Sequence, residues 1–228
     1  MERKTIITAD GSSSVAIPSM NVTYHSVYGA IRESSHVFIG AGLNYFRSLH
    51  KDSKKQRLAI FEMGFGTGLN ALLTLIESEH NGPQIFYETV ELYPLESMQV
   101  EGLNYCAQLN RNDLQGKFGQ MHRAGWEKEV RITPQFILKK SKVDLLDLQP
   151  TRTFEVIYFD AFDPGVQPEL WSKEIFQKMF SILEPGGILV TYSSKGDARR
   201  AMIFAGFDIE KIPGPPGKRE MIRAVRRG

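Results

Sequence analysis

Three carboxylates in this 228-residue chain each close an apolar run. Glu62 follows Leu58-Ala59-Ile60-Phe61, Glu91 sits in Val90-Glu91-Leu92, and Asp160 follows Phe154-Glu155-Val156-Ile157-Tyr158-Phe159. Directly after Glu62 come alternating glycines, Gly64, Gly66 and Gly68, with Thr67 between the last two and Asn70 just beyond. Glycines spaced this way permit positive φ and bring a ligand close to bare backbone. A strand that feeds such a turn and then a helix N-terminus is a nucleotide-binding device. The dinucleotide fingerprint G-x-G-x-x-G does not fit, because the third glycine arrives one residue early. An acidic residue ending the second strand is the usual partner of ribose hydroxyls, which makes Glu91 a binding candidate. Ligands of open parallel sheets lie beyond the carboxyl ends of the strands, so Asp160 is expected in the same crevice as Gly64 and Glu91.

The elements that must position these groups alternate between strand and helix. Leu58 to Phe61 is a continuous apolar run, suited to a strand covered on both faces. Leu69, Leu72, Leu73 and Ile76 recur at helical spacing, and Asn81-Gly82-Pro83 ends that helix. Gln84 to Leu92 reads as the second strand, and a helix is expected from Leu95 to Leu109. Leu114 to Trp126 reads as helical, and Val130 to Ile132 with Gln135 to Lys140 as a hairpin. The fourth strand precedes Asp160. Pro168 suits the first position of a helix, whose stripe of Trp171, Ile175, Met179, Ile182 and Leu183 is core packing. Glu184-Pro185-Gly186-Gly187 leads into a strand from Ile188 to Tyr192, with Ser193, Ser194, Lys195 and Gly196 at its carboxyl end. A helix over 197–205 and strands over 207–212 and 219–225 complete a mixed sheet. At the other end, Thr5 to Thr8 and Ser14 to Ile17 read as a hairpin. Residues 21–50 are less regular. Tyr24, His25, Ser26, Tyr28, Glu33, Ser34 and His36 fall within 13 residues there and could line a substrate mouth. For His25 and His36 taken singly, a satisfied structural histidine is the favoured reading, and their spacing makes no metal site.

Composition narrows the class. The net charge of +2 is too small to argue for nucleic acid. The basic residues cluster, however: Lys51, Lys54, Lys55 and Arg57; Lys139, Lys140 and Lys142; and Lys211, Lys218, Arg219, Arg223, Arg226 and Arg227 with Glu220 alone among them. The last group is the best candidate for phosphate contact. No apolar run reaches membrane-spanning length, and the N-terminus has no secretory core segment. The single cysteine, Cys106, excludes an intramolecular disulfide and reads as core filler. A cytoplasmic location is the default for such a chain.

The glycine turn preceded by an acid resembles the first motif of class I S-adenosylmethionine-dependent methyltransferases. That resemblance implies an α/β, Rossmann-like, mostly parallel sheet with an antiparallel terminal strand, in residues 51–228. Residues 1–50 would form a small N-terminal extension or cap on that core. A closer resemblance rests on GFGTGLN, DAFDP…PELW, SKGDARR before AGF, the closing GKREM, and GAIRES-x-HVFI at residues 29–39. Together these resemble the methyltransferase domain of the MnmC-type tRNA wobble-uridine modification enzymes, over roughly 200 residues.

The resemblance implies S-adenosylmethionine as cofactor, with neither metal nor FAD. It implies Glu62, Gly64, Gly66, Thr67, Gly68, Asn70, Glu91, Asp144 and Asp160 as its contacts, with Asp147 the competitor of Asp144. The implied reaction is N-methylation of 5-aminomethyl-(2-thio)uridine at the tRNA wobble position, with Asp160 placed to orient the amine or take its proton. Tyr24, Glu33 and Phe162 are candidates for the base pocket, and Lys195, Lys218 and Arg219 for contact with the tRNA. Asp163 stands where alanine is common and offers an alternative carboxylate. The chain is expected to act without the oxidase domain of the two-domain enzymes, as a monomer. A methyltransferase or aminopropyltransferase for a small amine, and a non-catalytic module that keeps the fold, are the competing expectations.

Overall fold

The computed structural model describes residues 2–51, 55–80 and 82–228; Lys54 and Asn81 of the readings above lie outside them. The chain begins with a three-stranded antiparallel sheet, β1 (Lys4–Ile7), β2 (Ser13–Ile17) and β3 (Val22–Thr23). Asp10 shapes its first turn, accepting hydrogen bonds from the Thr8 hydroxyl at 2.8 Å and the Ser12 amide at 3.0 Å. A continuous helical run follows, made of α1 (Ala30–Ser34), a π-helical stretch (Ser35–Asn44) and α2 (Tyr45–Leu49). Within this run Gly42 has a packing role. A Cβ on Gly42 would lie 3.0 Å from Val190 Cγ2 and 3.2 Å from Tyr158 Cε1, so glycine lets this helix settle directly on the sheet.

The main sheet is built from β4 (Arg57–Met63), β5 (Gln84–Val90), β6 (Glu129–Thr133), β7 (Phe136–Ser141), β8 (Phe154–Phe159), β9 (Leu183–Thr191), β10 (Asp208–Pro213) and β11 (Glu220–Val225). Their order is β10-β11-β9-β8-β4-β5-β7-β6. The five strands from β9 to β7 run parallel, while β6, β11 and β10 are antiparallel to their neighbours. Strand order reverses direction at β4, which lies between β5 and β8; a crevice is expected at that switch point.

Side chains alternate across the sheet and feed two cores. Ile60, Tyr87, Tyr158 and Val190 join one face, with Val37, Phe38 and Leu43 of the first helical run, Leu72 of α3 (Leu69–Ser78) and Phe118 of a later helix. Residues 30–49 thus share one core with the sheet. Phe61, Ile157, Phe159 and Leu189 join the other face. Each of these fully buried large side chains contributes roughly 1.5–3 kcal/mol relative to exposure.

The expected helix over 95–109 is two short ones, α4 (Ser97–Glu101) and α5 (Tyr105–Gln108). Asn104 is drawn out between them by the first sheet: its Oδ1 accepts the Ser13 amide at 2.8 Å, and its own amide donates to Ser13 Oγ at 2.9 Å. Next comes α6 (Gln115–Arg123). Pro168 opens only a 3₁₀ turn (Pro168–Trp171), because Ser172 adopts an extended backbone and caps α7 (Lys173–Ile182), accepting from the Ile175 amide. β9 starts at Leu183, five residues before the expected Ile188, with a register irregularity where Glu184-Pro185-Gly186-Gly187 passes β8. Finally, α8 (Gly196–Ala205) packs with α7 on the second face. Among the described residues no helix is long and apolar enough to cross a membrane.

Candidate active site

The turn after β4 is the floor of the site. Gly64, Gly66 and Gly68 have φ of 87°, 49° and 74°, values that cost an L-residue about 1–2 kcal/mol each. The space is closed as well. A Cβ at Gly66 would meet the Tyr24 ring at 3.1 Å, and one at Gly68 would meet His122 Nε2 at 2.9 Å. Two histidines flank Thr67. His122 Nε2 donates to the Thr67 carbonyl at 3.1 Å, and His25 Nε2 lies 3.4 Å from the Thr67 hydroxyl. Burial pushes both imidazoles down to about 4, so both are neutral at pH 7.

This turn opens onto a cavity of about 280 Å³ at the carboxyl ends of β4, β5 and β8. Glu91 bridges two edges of it: Oε2 accepts the Gly66 amide at 2.9 Å and Oε1 the Tyr93 amide at 2.8 Å. A carboxylate has about four acceptor positions, so each oxygen keeps one for a ligand hydroxyl. Asp144 lines the cavity beyond β7 and fixes its loop by accepting the Leu146 amide at 2.9 Å, whereas Asp147 is exposed and away from it.

Asp160 enters from the end of β8, and Asn70 Nδ2 donates to its Oδ2 at 2.8 Å. Burial raises the Asp160 carboxyl to about 7; the charge of Glu33 adds to this, while the Asn70 bond and the Lys218 charge oppose it. Glu62 lies one layer beneath. It is 1% exposed and does not line the cavity. Polar groups of Thr89, Asn70 and Tyr87 surround it without closing a well-formed hydrogen bond. Burial, aided by the Asp160 charge, holds the Glu62 carboxyl well above the ordinary carboxylate range.

On the other side of Asp160 lies a second group of charges. Lys218 Nζ is 2.7 Å from Glu33 Oε1, and Lys195 pairs with Asp163. Tyr24 stands over the glycine turn with its ring edge-on to Phe162 at 5.2 Å. Burial, with the Glu91 charge and against that of Arg3, raises the Tyr24 phenol to about 12. Arg219 is exposed, and its charge acts on the neighbouring Glu220.

Of the sequence candidates, Gly64, Gly66, Thr67, Asn70, Glu91, Asp144, Asp160, Tyr24 and Phe162 converge on the cavity. Gly68 supports the turn from behind; Glu33, Lys195 and Lys218 sit beyond Asp160. The sequence reading missed Arg3, Met20, Tyr93 and Leu170, which also line the cavity. Arg3 donates to the carbonyls of Pro94 at 2.9 Å and Tyr93 at 2.6 Å, which ties the N-terminal strand across the cavity edge. No local pattern around Arg3 marks it, since its partners are some 90 residues away. His25 also lines the cavity; its Nδ1 lies 3.3 Å from Ser14 Oγ and its Nε2 3.4 Å from the Thr67 hydroxyl of the turn.

A family model described as S-adenosyl-L-methionine-dependent methyltransferase matches residues 106–227. Among curated proteins, the chain is 28% identical over 210 residues to the tRNA 5-methylaminomethyl-2-thiouridine biosynthesis bifunctional protein MnmC of Stutzerimonas stutzeri, covering 88% of this chain and 31% of that protein. It is 30% identical over 221 residues to the protein of the same name from Pseudomonas entomophila, covering 90% and 32%. The chain therefore spans about a third of the length of the curated relatives it matches. Among solved structures, MnmC2 from Aquifex aeolicus superimposes with a TM-score of 0.78 at 22% identity, over 100% of this chain and 71% of that one, a likeness of fold.

Proposed function

Because the chain belongs to the S-adenosylmethionine-dependent methyltransferase family, we propose that it methylates the exocyclic amine of 5-aminomethyl-(2-thio)uridine at the tRNA wobble position. The MnmC relatives support the choice of acceptor through the biosynthesis their name records. The observation that carries the reading is the placement of Asp160. It lines the cavity on one side and meets the charges of Glu33 and Lys218 on the other.

The residues present fit the cofactor. The glycine turn at Gly64 and Gly66 would take the methionine moiety, Glu91, which retains acceptor positions, would hold the ribose, and Asp144, which lines the cavity, would meet the adenine amine. Thr67 and Gly68 hold the turn in shape, Asn70 orients Asp160, and Glu62 fills the layer beneath them. When bound, S-adenosylmethionine supplies a methyl group made electrophilic by its sulfonium.

The protein's own task is to present a neutral amine in line with that methyl. Asp160 would orient the acceptor amine and take the proton its ammonium form carries, so that the nitrogen lone pair is free to accept the methyl group. An amine as basic as lysine, ~10.4, sets the upper limit of that transfer. Against an ordinary aspartate the transfer is uphill by ~9 kcal/mol; raising Asp160 to about 7 removes on the order of 4 of these. Tyr24 and Phe162 offer aromatic faces to a splayed-out base. Arg219 is exposed to solvent and could reach a backbone phosphate, whereas Lys195 and Lys218 are engaged with carboxylates.

The test is methyl transfer from labelled S-adenosylmethionine to tRNA carrying 5-aminomethyl-2-thiouridine, beside unmodified tRNA and small primary amines. Label confined to the wobble nucleoside of the modified tRNA is expected. Transfer to small amines at comparable efficiency would overturn the choice of acceptor.

A further inference from the structure

Lys218 lies beyond Asp160 from the cavity, and its ammonium turns inward. Besides its 2.7 Å contact with Glu33, its Nζ lies 3.7 Å from the centroid of the Tyr192 ring. Both partners are held in place independently. The second Glu33 oxygen accepts the Ser26 amide at 2.7 Å, and its side chain is only 8% exposed. The Tyr192 hydroxyl donates to the Ala161 carbonyl at 2.8 Å, which fixes its ring beside the residue that follows Asp160. A rigid carboxylate and an aromatic face converging on one point are what recognises an ammonium group. Neighbouring Lys195 is already matched by Asp163, so the pair Glu33 and Asp160 has Lys218 as its local countercharge.

We propose that Glu33 and Tyr192 form the binding box for the ammonium group of the methyl acceptor, and that Lys218 fills it as an internal stand-in until the acceptor arrives. This rests on the acceptor being an amine, as argued above. Lys218 lies on the loop between β10 and β11, is 34% exposed, and has a flexible four-carbon stem on which to swing out. The exchange swaps one ammonium for another, so binding of the acceptor does not leave the Glu33 carboxylate uncompensated. An RNA whose wobble uridine carries no amine has nothing with which to displace Lys218. Discrimination against the unmodified base then comes from the protein's own competing cation, a repulsive element built into the pocket.

The test uses anticodon stem-loop RNAs with and without 5-aminomethyl-2-thiouridine. Glu33→Gln should raise KM for the modified RNA at least tenfold while leaving S-adenosylmethionine affinity and binding of the unmodified RNA unchanged. Lys218→Met, which keeps the stem and removes the stand-in, should lower that KM severalfold. In protein labelled with ¹⁵N-lysine, the Lys218 ammonium signal, assigned by its absence in Lys218→Met, should be shielded from exchange. It should be lost on adding modified RNA and persist with unmodified RNA. A raised KM in Lys218→Met, or equal loss of the signal with both RNAs, makes Lys218 a phosphate contact and overturns the box. If the wild-type protein transfers no methyl to the modified RNA, the acceptor reading fails by itself. The signal then decides the box: displacement by the modified RNA alone upholds it, and no displacement overturns it.

Discussion

Asp160→Asn should make the protein more stable and inactive, with the stability gain growing as pH rises. Burial lifts the carboxyl from an unfolded value of 3.8 to about 7 in the folded protein. The folded state therefore holds this proton more tightly than the unfolded chain. The stability this brings is present in full below about 4 and is lost as pH climbs through about 7. Asparagine carries no proton to lose and still accepts from Asn70 Nδ2, the one direct bond Asp160 makes in the site. Between pH 5 and pH 8 the advantage of the variant should grow by at most about 3 kcal/mol. Because Asp160 is half-buried and lines the open cavity, about half of that, ~1.5 kcal/mol, is the expected value. For a chain of this size 1 kcal/mol moves Tm by ~2–4 °C, so the gap between variant and wild type should widen by ~3–6 °C. Thermal unfolding of both proteins at the two pH values measures it, with methyl transfer assayed on the same samples and expected to fall by ~10²–10⁴. A gap that stays constant with pH would show that Asp160 ionises in the folded protein as it does in the unfolded chain, and the argument for its role as proton acceptor would go with it.

The same carboxyl should set the pH profile. In the wild type kcat/KM should climb with pH and bend near 7, and Glu33→Gln, by removing the like charge, should move the bend lower; a climb with no bend up to the amine's own pKa would rule this out. Gly66→Ala should cost about 1–2 kcal/mol of stability and abolish cofactor binding by calorimetry, since its Cβ meets Tyr24 at positive φ. Gly116→Ala is its control: nothing lies within 4 Å of the added Cβ in α6, so a gain of up to about 1 kcal/mol is expected, and a loss there would undercut the spatial argument at Gly66 as well. Arg219→Glu should weaken tRNA binding and lower the salt slope by about one, with cofactor affinity intact; loss of both together would mean damage to the fold.

The sheet was legible because its signals are local. β8 is an uninterrupted apolar run buried on both faces, and β4 joins such a run to a glycine turn whose three positive φ values no other residue type adopts cheaply. What the sequence concealed was set at a distance. Asn104 looks like an ordinary mid-helix residue until β2 takes its side chain, and Gly42 looks like a helix breaker until Tyr158 and Val190 come within contact of it. Burial against another element outweighed local propensity in both cases.

The site divides along the same line, and the division bears on specificity. The residues proposed for the cofactor lie within a few positions of strand ends and line one cavity, so their signal in the sequence is local. The acceptor half is assembled from Glu33, Asp160, Tyr192 and Lys218, which are spread over 185 residues between Glu33 and Lys218. Charge counting placed Lys218 in an exposed basic cluster for phosphate, yet its ammonium turns inward onto a carboxylate and a ring. Net charge says how many cations a segment carries and nothing about which way each one points. Arg219, the next residue, faces solvent instead. On the proposed reading, adjacent cations serve opposite ends of one problem: Arg219 would meet the sequence-independent backbone, and Lys218 would guard the point at which a single amine distinguishes one nucleoside from another.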